Sequence, residues 1–337
     1  MVQSGSSPSR RTTIYDLAQI AGTSPSAVSA ILNGTWRKRR ISARLAEHVG
    51  RIAEEQGYAV NLQASLLRRD RSRIVGMIIP KYDNRYFGAI AEQFEARARE
   101  RGLFPVITCT QRDPALEVEA AREMISYQAE CLIATGATDP DRIAGVCAPA
   151  GVRSINLDLP GTAMPSVVSD NFEGARDLTL RILDRVERDF GGLAPLYFIG
   201  GRAQDHNTRE RLRGFMAAHA ARGLTVPSDR CIMHGYSATK TEAALAGIRV
   251  TEHGGFFVNS TIALEGVVRW IYTPPQSPGL FRFGCFDWDP FARFLPQNIG
   301  MMRQDVDAML TAVFDLMDHP PAGAVRIQTP CIFEPVD

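Results

Sequence analysis

The densest run of cations in the chain is Trp36-Arg37-Lys38-Arg39-Arg40, four positive side chains beside an indole. Guanidinium and ammonium groups clamp phosphates, which fixes register on a nucleic acid without reading its sequence. A solvated loop is the other reading of the same run. Upstream, Pro25, Ser26, Ala27, Ser29 and Ala30 form the outward face of a helix whose inward face holds Val28, Ile31 and Leu32. Small residues offer hydroxyl contacts and methyl contacts to thymine, not bidentate arginine–guanine pairs. Downstream, Asn61 to Leu67 spans two helical turns, too short to persist without DNA or a partner copy. Exposed, Leu66 and Leu67 suit a wedge between base steps of a minor groove; packed on a neighbouring body, they belong to a linker.

Enzyme chemistry has no comparable footing. There is no G-x-G-x-x-G after a strand, no phosphate-binding G-x-x-x-x-G-K-[ST], no H-E-x-x-H and no G-x-S-x-G. The histidines are scattered, and the glycine turn Phe198-Ile-Gly-Gly201 lacks the rest of a nucleotide fingerprint. Cys109, Cys131, Cys147, Cys231, Cys285 and Cys331 form no Cys-x-x-Cys pair and sit mostly in apolar runs. They read as buried small hydrophobes, so neither a metal, a cofactor nor a disulfide framework is expected.

The groups that face a polyanion need a scaffold, and the local spacing supplies one. Ile14, Leu17, Ala18 and Ala21 recur at i, i+3, i+4 and i+7, one face of a helix. Thr12 or Thr13 can cap its start and Gly22 its end. Ser24 then offers a new N-cap, with Pro25 at the first helical position, and this helix ends at Asn33-Gly34. Ser42 caps a third helix, lined by Leu45, Val49 and Ile52 and stopped at Gly57. Two short helices joined by a glycine turn make a helix-turn-helix. A plain three-helix bundle is the bland alternative, and the charge distribution bears on the choice. Residues 1–73 hold 12 of the chain's 38 basic residues but 5 of its 37 acidic ones, a net of +7, and the remainder is −6. A basic helix-turn-helix is the shape that enters a major groove.

The chain's 337 residues exceed one core, and 45% hydrophobic content with 22% charge excludes global disorder. No apolar run reaches the ~20 residues of a spanning helix, so no membrane segment is expected. From Ile74 the pattern becomes strand, helix, strand: 74–79, 86–101, 103–108, 116–127, 131–135 and a strand at 152–157. It continues with helices 173–187, 208–222, 239–248 and 261–271 between strands 195–200, 230–234, 255–258 and 281–286. Such alternation predicts parallel α/β sheets, here two doubly wound subdomains, with a ligand site at the carboxyl ends of their strands.

The run Thr13-Ile-Tyr-Asp-Leu-Ala-Gln-Ile-Ala-Gly-Thr-Ser-Pro-Ser-Ala-Val-Ser-Ala-Ile-Leu-Asn-Gly34 resembles the start of the LacI/GalR family of bacterial transcription regulators. The similarity continues through Ile41-Ser42, Gly57-Tyr58, Asn61 and Ala64, and over the body. The enlarged basic loop is similar to that of the fructose-repressor, or catabolite repressor/activator, branch. The resemblance implies major-groove readers at Pro25, Ser26 and Ser29, a minor-groove wedge at Leu67, and further DNA contacts from Thr13, Ser24, Ala27, Ala30, Asn33, Arg37, Lys38, Arg39, Arg40, Asn61 and Ala64. Two positions depart from the family: Ala30 replaces a larger reader, and Val60 replaces the proline before the hinge asparagine.

For the body, the resemblance implies a periplasmic-binding-protein-like effector domain. Asp170-Asn171 with Gly174-Ala175 opens its second subdomain. Arg211, before Gly214-Phe215, matches the effector-binding arginine; Asn259 and Asp287, each after an apolar strand, match cleft polar residues. Thr135 and Asp158 face the same cleft by analogy. Tyr82, Tyr86, Phe87 and Tyr236 offer an apolar wall or ring-stacking surface, and core packing is the other reading of these aromatics. Trp288 stands where the family commonly has a second acid.

The expected organisation is a tail at 1–12, a small all-α helix-turn-helix head at 13–59, a hinge at 60–73 and an effector and dimerisation domain at 74–337. Its first subdomain takes about 74–168 and 303–328, its second about 169–302 and 329–337. The expected function is a cytoplasmic, nucleoid-associated regulator of carbohydrate metabolism, most simply a repressor. It would bind double-stranded operator DNA as a homodimer or tetramer and respond to a sugar or sugar phosphate. The competing reading is a sugar-binding or sugar-modifying α/β protein with a non-functional head; a third is an architectural DNA-binding protein without an effector.

Overall fold

The computed structural model describes residues 12–58, 72–248, 253–274 and 276–336. The hinge positions Asn61, Ala64 and Leu67 lie outside the described residues. The chain divides into two units, Met1–Ser72 and Arg73–Asp337.

Among the described residues the first unit holds three helices, α1 (Ile14–Ile20), α2 (Pro25–Leu32) and α3 (Ala43–Glu55). Each start is fixed by a side chain that accepts an otherwise unpaired helix N–H. Thr13 forms a capping box with Asp16, whose carboxylate accepts the Thr13 N–H at 2.7 Å. Ser24 accepts from the Ala27 N–H, with Pro25 at N1, and Ser42 from the Leu45 N–H. Leu17, Val28 and Val49, one from each helix, have no exposed surface. Ile31, Ile52 and Ala53 complete this core.

Ala30 corrects the sequence-based expectation. It is only 4% exposed, so it does not belong to the outward face of α2. Gly34 adopts φ +70° and turns the chain back, and Thr35 then donates its N–H to the Ala30 carbonyl at 2.9 Å. This Schellman closure sets residues beyond the helix over its last turn.

Among the described residues the second unit contains two six-stranded sheets. The chain runs β1 (Ile74–Ile79), α4 (Arg85–Glu100), β2 (Phe104–Cys109), α5 (Pro114–Ser126), β3 (Cys131–Thr135), α6 (Pro140–Cys147), β4 (Arg153–Leu157) and β5 (Ser166–Ser169). It then crosses into α7 (Asn171–Phe190), β6 (Tyr197–Ile199), α8 (His206–Ala221), β7 (Cys231–Ile232), α9 (Ala238–Leu245), β8 (Gly254–Val258), α10 (Thr261–Ile271), β9 (Phe281–Phe286) and β10 (Asn298–Gln304). It returns through α11 (Val306–Asp318) to β11 (Arg326–Thr329) and ends in β12 (Cys331–Pro335).

The strand orders are β11-β5-β4-β3-β1-β2 and β12-β10-β9-β8-β6-β7. All pairings are parallel except β10 with β12. Helices cover both faces, so central strands such as β1 and β3 are apolar and buried throughout. The chain passes between the sheets at Ser169–Asn171, Gln304–Val306 and Thr329–Cys331. Two of these crossings are tied together where the Ser169 hydroxyl donates to Gln304 Oε1 at 2.7 Å.

The cysteines are free thiols. Burial pushes Cys131 up to about 12 and Cys147 to about 11, as expected of small apolar residues rather than nucleophiles. Among the described residues no helix is long and apolar enough to cross a membrane.

Candidate functional site

Between the two sheets of the second unit lies a cavity of about 280 Å³, walled by Tyr86, Asp158, Arg211, Tyr236 and Asp287 among others. It sits at the carboxyl ends of the strands, where parallel sheets leave strand-end loops free to carry side chains. Asp158 directly follows β4 and Asp287 directly follows β9. Both hold a left-handed backbone, φ +74° and +72°, a conformation L-residues other than glycine seldom adopt. Strain of this kind persists only where surrounding structure over-determines it, and it concentrates at functional sites.

Arg211 is 3% exposed. Its Nε donates to Asn171 Oδ1 and its Nη1 to the Asn259 carbonyl, both at 2.7 Å, and the guanidinium lies 3.7 Å from the ring centre of Phe286. No carboxylate lies within ion-pair distance of it among the described residues. The guanidinium is thus held rigidly by neutral oxygens and a ring, with its charge directed at the cavity.

Asp158 joins the two lobes. It accepts from the Tyr86 hydroxyl of α4 at 3.1 Å and from Asn207 Nδ2 of α8 at 2.9 Å. Asn207 in turn accepts from Asn171, which continues the network to Arg211. Asp287 accepts from Gln304 Nε2. Burial raises the carboxyls of Asp158 and Asp287, opposed by Arg112 and Arg211 at the first and by Arg211 at the second. Burial, with both carboxylates nearby, also holds the Tyr86 phenol well above its ordinary value. Buried carboxylates with spare lone pairs, a buried guanidinium and phenol hydroxyls form a set that binds a hydroxylated or anionic small molecule.

Two expected cleft residues do not reach the wall. Thr135 ends β3 and is 1% exposed, but its hydroxyl has no hydrogen-bond partner and does not line the cavity. Asn259 is fully buried behind Arg211, where it offers its carbonyl to that residue and its Nδ2 to Thr208. It positions the arginine rather than touching the cavity. Tyr86, Phe87 and Tyr236 line the cavity; Tyr82 does not. Trp288 is 41% exposed and lines an adjoining recess with Arg85 and Gln93, which shares Tyr86, Asp287 and Gln304 with the cavity.

Lys81, Arg112, Asn207 and Gln304 also line the cavity, and sequence reasoning passed them over. Lys81 and Arg112 each lie just beyond a strand, the signal that the strand-end rule offers. Gln304 is the last residue of β10, so the same strand-end rule applies to it, on a strand that the sequence pattern does not reveal. The glycine pair Gly200-Gly201, at φ +92° and +83°, has a packing role: a Cβ on Gly201 would stand 2.2 Å from Asn259 Nδ2 and 2.5 Å from Thr208 Oγ1.

On the first unit, Ser24 and Ser26 are exposed with their hydroxyls 2.9 Å apart, and Pro25, Ala27 and Ser29 are half-buried. Thr13 is committed to its capping box, and the Asn33 carboxamide donates to the Ser29 carbonyl at 2.8 Å. The run Arg37–Arg40 forms an ordered turn closed by the Ile41 N–H on the Trp36 carbonyl at 3.0 Å, with Arg40 at φ +57°. Its four cations are exposed, and the Arg37 guanidinium lies 5.0 Å from the Trp36 ring centre.

No protein-family model matches the chain. It is 64% identical over 193 residues to the ribitol operon repressor of Klebsiella aerogenes, an alignment covering 57% of this chain and 72% of the relative. It is 27% identical over 322 residues to the sucrose operon repressor of Klebsiella pneumoniae, covering 92% of each. The fold superposes on a lac repressor structure bound to ONPG with a TM-score of 0.77 at 19% identity, over 96% of this chain and 98% of that one. With these relatives beside the Thr13–Gly34 run, the chain belongs to the LacI/GalR family of transcription regulators.

Proposed function

We propose that this protein represses a carbohydrate operon by binding operator DNA through residues 12–58, and that a small sugar, polyol or sugar phosphate in the cleft controls it. The observation that carries the reading is Arg211: a buried guanidinium, free of carboxylate contact, faces a cavity with two aspartates in left-handed conformation. A purely structural arginine at this depth would be paired. The 64% identical relative is a ribitol operon repressor, which favours a pentitol operon as the target.

In this reading α1 and α2 are a helix-turn-helix. Ser24, Pro25, Ser26, Ala27 and Ser29 meet base edges, and Arg37 to Arg40 grip phosphates. A homodimer sets two such heads on a two-fold operator, and the hinge positions Asn61, Ala64 and Leu67 serve the minor groove. An effector that prefers one lobe angle shifts DNA affinity by its differential affinity for the two states and no more.

The test is an electrophoretic mobility shift with DNA from the gene's own promoter region. The full chain should retard it at low salt. A chain lacking residues 1–73 should not retard it, yet should keep ligand-induced thermal stabilisation. Turnover of a bound sugar would overturn the regulator reading in favour of a sugar-modifying protein.

A further inference from the structure

We propose that the effector carries an oxyanion on a hydroxylated carbon chain, and that Arg112, with Arg202 at the same Tyr236 ring and Lys81 on the same cavity, is the site that selects it. The proposal rests on the cleft being the effector site.

Four cations line the cavity, Lys81, Arg112, Arg202 and Arg211, against two carboxylates, Asp158 and Asp287. Arg202 is closed by Asp205 at 3.0 Å. Arg211 is held by neutral oxygens and acts electrostatically on both cleft aspartates, and Arg112 acts on Asp158 from beyond ion-pair distance. Lys81 and Arg112 have no carboxylate within 4.0 Å among the described residues. Positive charge therefore exceeds negative in a low-dielectric recess, which concentrates anions there. Arg112 Nη1 is also buried without a hydrogen-bond partner among the described residues. A buried guanidinium N–H left unpaired is costly unless an incoming group takes it.

The backbone beneath Arg112 is built against its own preference. Thr110 to Asp113 is a tight turn closed by the Asp113 N–H on the Thr110 carbonyl at 2.9 Å, with Gln111 at φ +54° and Arg112 at φ +59°. That is a type I′ turn, whose central pair is ordinarily Asn-Gly because both residues need positive φ. Here two long side chains occupy it. The turn sets the Arg112 guanidinium 5.4 Å from the Tyr236 ring centre and 5.9 Å from that of Phe87, and Arg202 lies 5.9 Å from Tyr236 on the same ring. Two cations thus share one ring, and Tyr236 is itself braced by Thr208 at 3.2 Å. A strained turn that holds a guanidinium on a cavity wall, stacked on two rings and away from any ion-pairing carboxylate among the described residues, fits an anion-binding role. The bidentate fork fits a phosphoryl or a carboxylate group.

The test uses the full-length protein in thermal-shift and calorimetric titrations with four probes: inorganic phosphate, a five-carbon polyol, its terminal monophosphate and the matching aldonate. The monophosphate or the aldonate should bind about tenfold or more tightly than the free polyol, the size of one charge-assisted hydrogen bond. Which of the two is stronger identifies the oxyanion, and protection by inorganic phosphate alone marks the phosphoryl group. Arg112→Gln should erase that advantage, bringing the affinities of the charged derivatives down to that of the polyol measured on the same variant. A second variant, Gln111→Asn with Arg112→Gly, restores ideal turn residues; it should raise the melting midpoint while losing the same advantage. Equal binding of the polyol and its charged derivatives, or an advantage that survives Arg112→Gln, overturns the proposal. If the polyol alone protects, and Asp287→Asn removes that protection, the cleft reading stands without the oxyanion. No protection by any probe overturns both.

Discussion

Asp158 and Asp287 occupy equivalent places in two different sheets. Each is the first residue beyond the third strand of its sheet, β4 in β11-β5-β4-β3-β1-β2 and β9 in β12-β10-β9-β8-β6-β7. Each is buried, 3% and 8% exposed, and each is left-handed at nearly the same angle, +74° and +72°. The two lobes thus present matching carboxylates to one cavity, and each carboxylate is held by a neutral donor rather than an ion pair. This pairing and the residues that support it have measurable consequences.

The first concerns pH. Burial raises both carboxyls above the ordinary aspartate value of 3.8, so the folded body binds protons that the unfolded chain has already released. Their contribution to stability increases as pH falls toward the raised values and is lost as pH climbs through them, in a window above 3.8. Asp158→Asn with Asp287→Asn removes this dependence. The melting midpoint of the double variant minus that of the wild type should be larger near neutrality than at about pH 5. A difference that does not change with pH contradicts the assignment.

Arg211 is next. Arg211→Lys keeps the charge but offers one nitrogen where two acceptors, Asn171 Oδ1 and the Asn259 carbonyl, now take separate donors. One buried acceptor goes unpaired, at a cost of about 1–3 kcal/mol. Urea denaturation of the body should show that loss, and effector protection should fall by about tenfold or more. Wild-type effector response in this variant would remove Arg211 from the site.

A third prediction tests how α8 is seated. A Cβ on Gly214 would stand 2.2 Å from the Phe172 carbonyl and 2.9 Å from the Arg176 N, both backbone atoms of α7. Gly214→Ala must separate the helices, at about 1–3 kcal/mol for overpacking. Because α8 also carries Asn207, Thr208 and Arg211, ligand response should weaken with stability. Gly145→Ala is the control: nothing lies within 4 Å of that Cβ in α6, so removing a helical glycine should stabilise by about 0.5–1 kcal/mol.

The basic turn gives the fourth. None of Arg37, Lys38, Arg39 or Arg40 makes an ion pair among the described residues, so changing all four to Gln should leave the melting midpoint of the head nearly unmoved. DNA affinity should fall, and the slope of log affinity against log salt should flatten by about 0.9 for each phosphate that is no longer neutralised. An unchanged slope in fluorescence-anisotropy titrations would assign DNA binding to other residues.

Local structure was legible in the sequence because its causes are local. Thr13, Ser24-Pro25 and Ser42 start their helices through bonds to residues three positions on, and Gly34 and Gly57 stop theirs by relaxing into positive φ. The strand and helix periods of the body are likewise short-range. Strands of four residues such as Ser166–Ser169 carry too little pattern to be seen, and the final crossings carry none. The basic surplus over residues 1–73 and the Thr13–Gly34 run determined the kind of protein before any fold was known.

The cleft is different, because it depends on which strands become neighbours and on where the chain changes sheets. Arg112, Asp158, Arg211, Asp287 and Gln304 meet at one cavity through sheet order and crossings, over separations that no local period encodes. The same holds for what was misread. Ala30 is covered by the turn that follows it, Thr135 ends its strand short of the cavity, and Asn259 supports Arg211 from behind. Most of the helices, the longer strands and the class of regulator are readable along the chain, since those rest on bonds between near neighbours. Which side chains face the cavity emerges in the folded protein alone, since that rests on the left-handed turns and close helix packing that aim them.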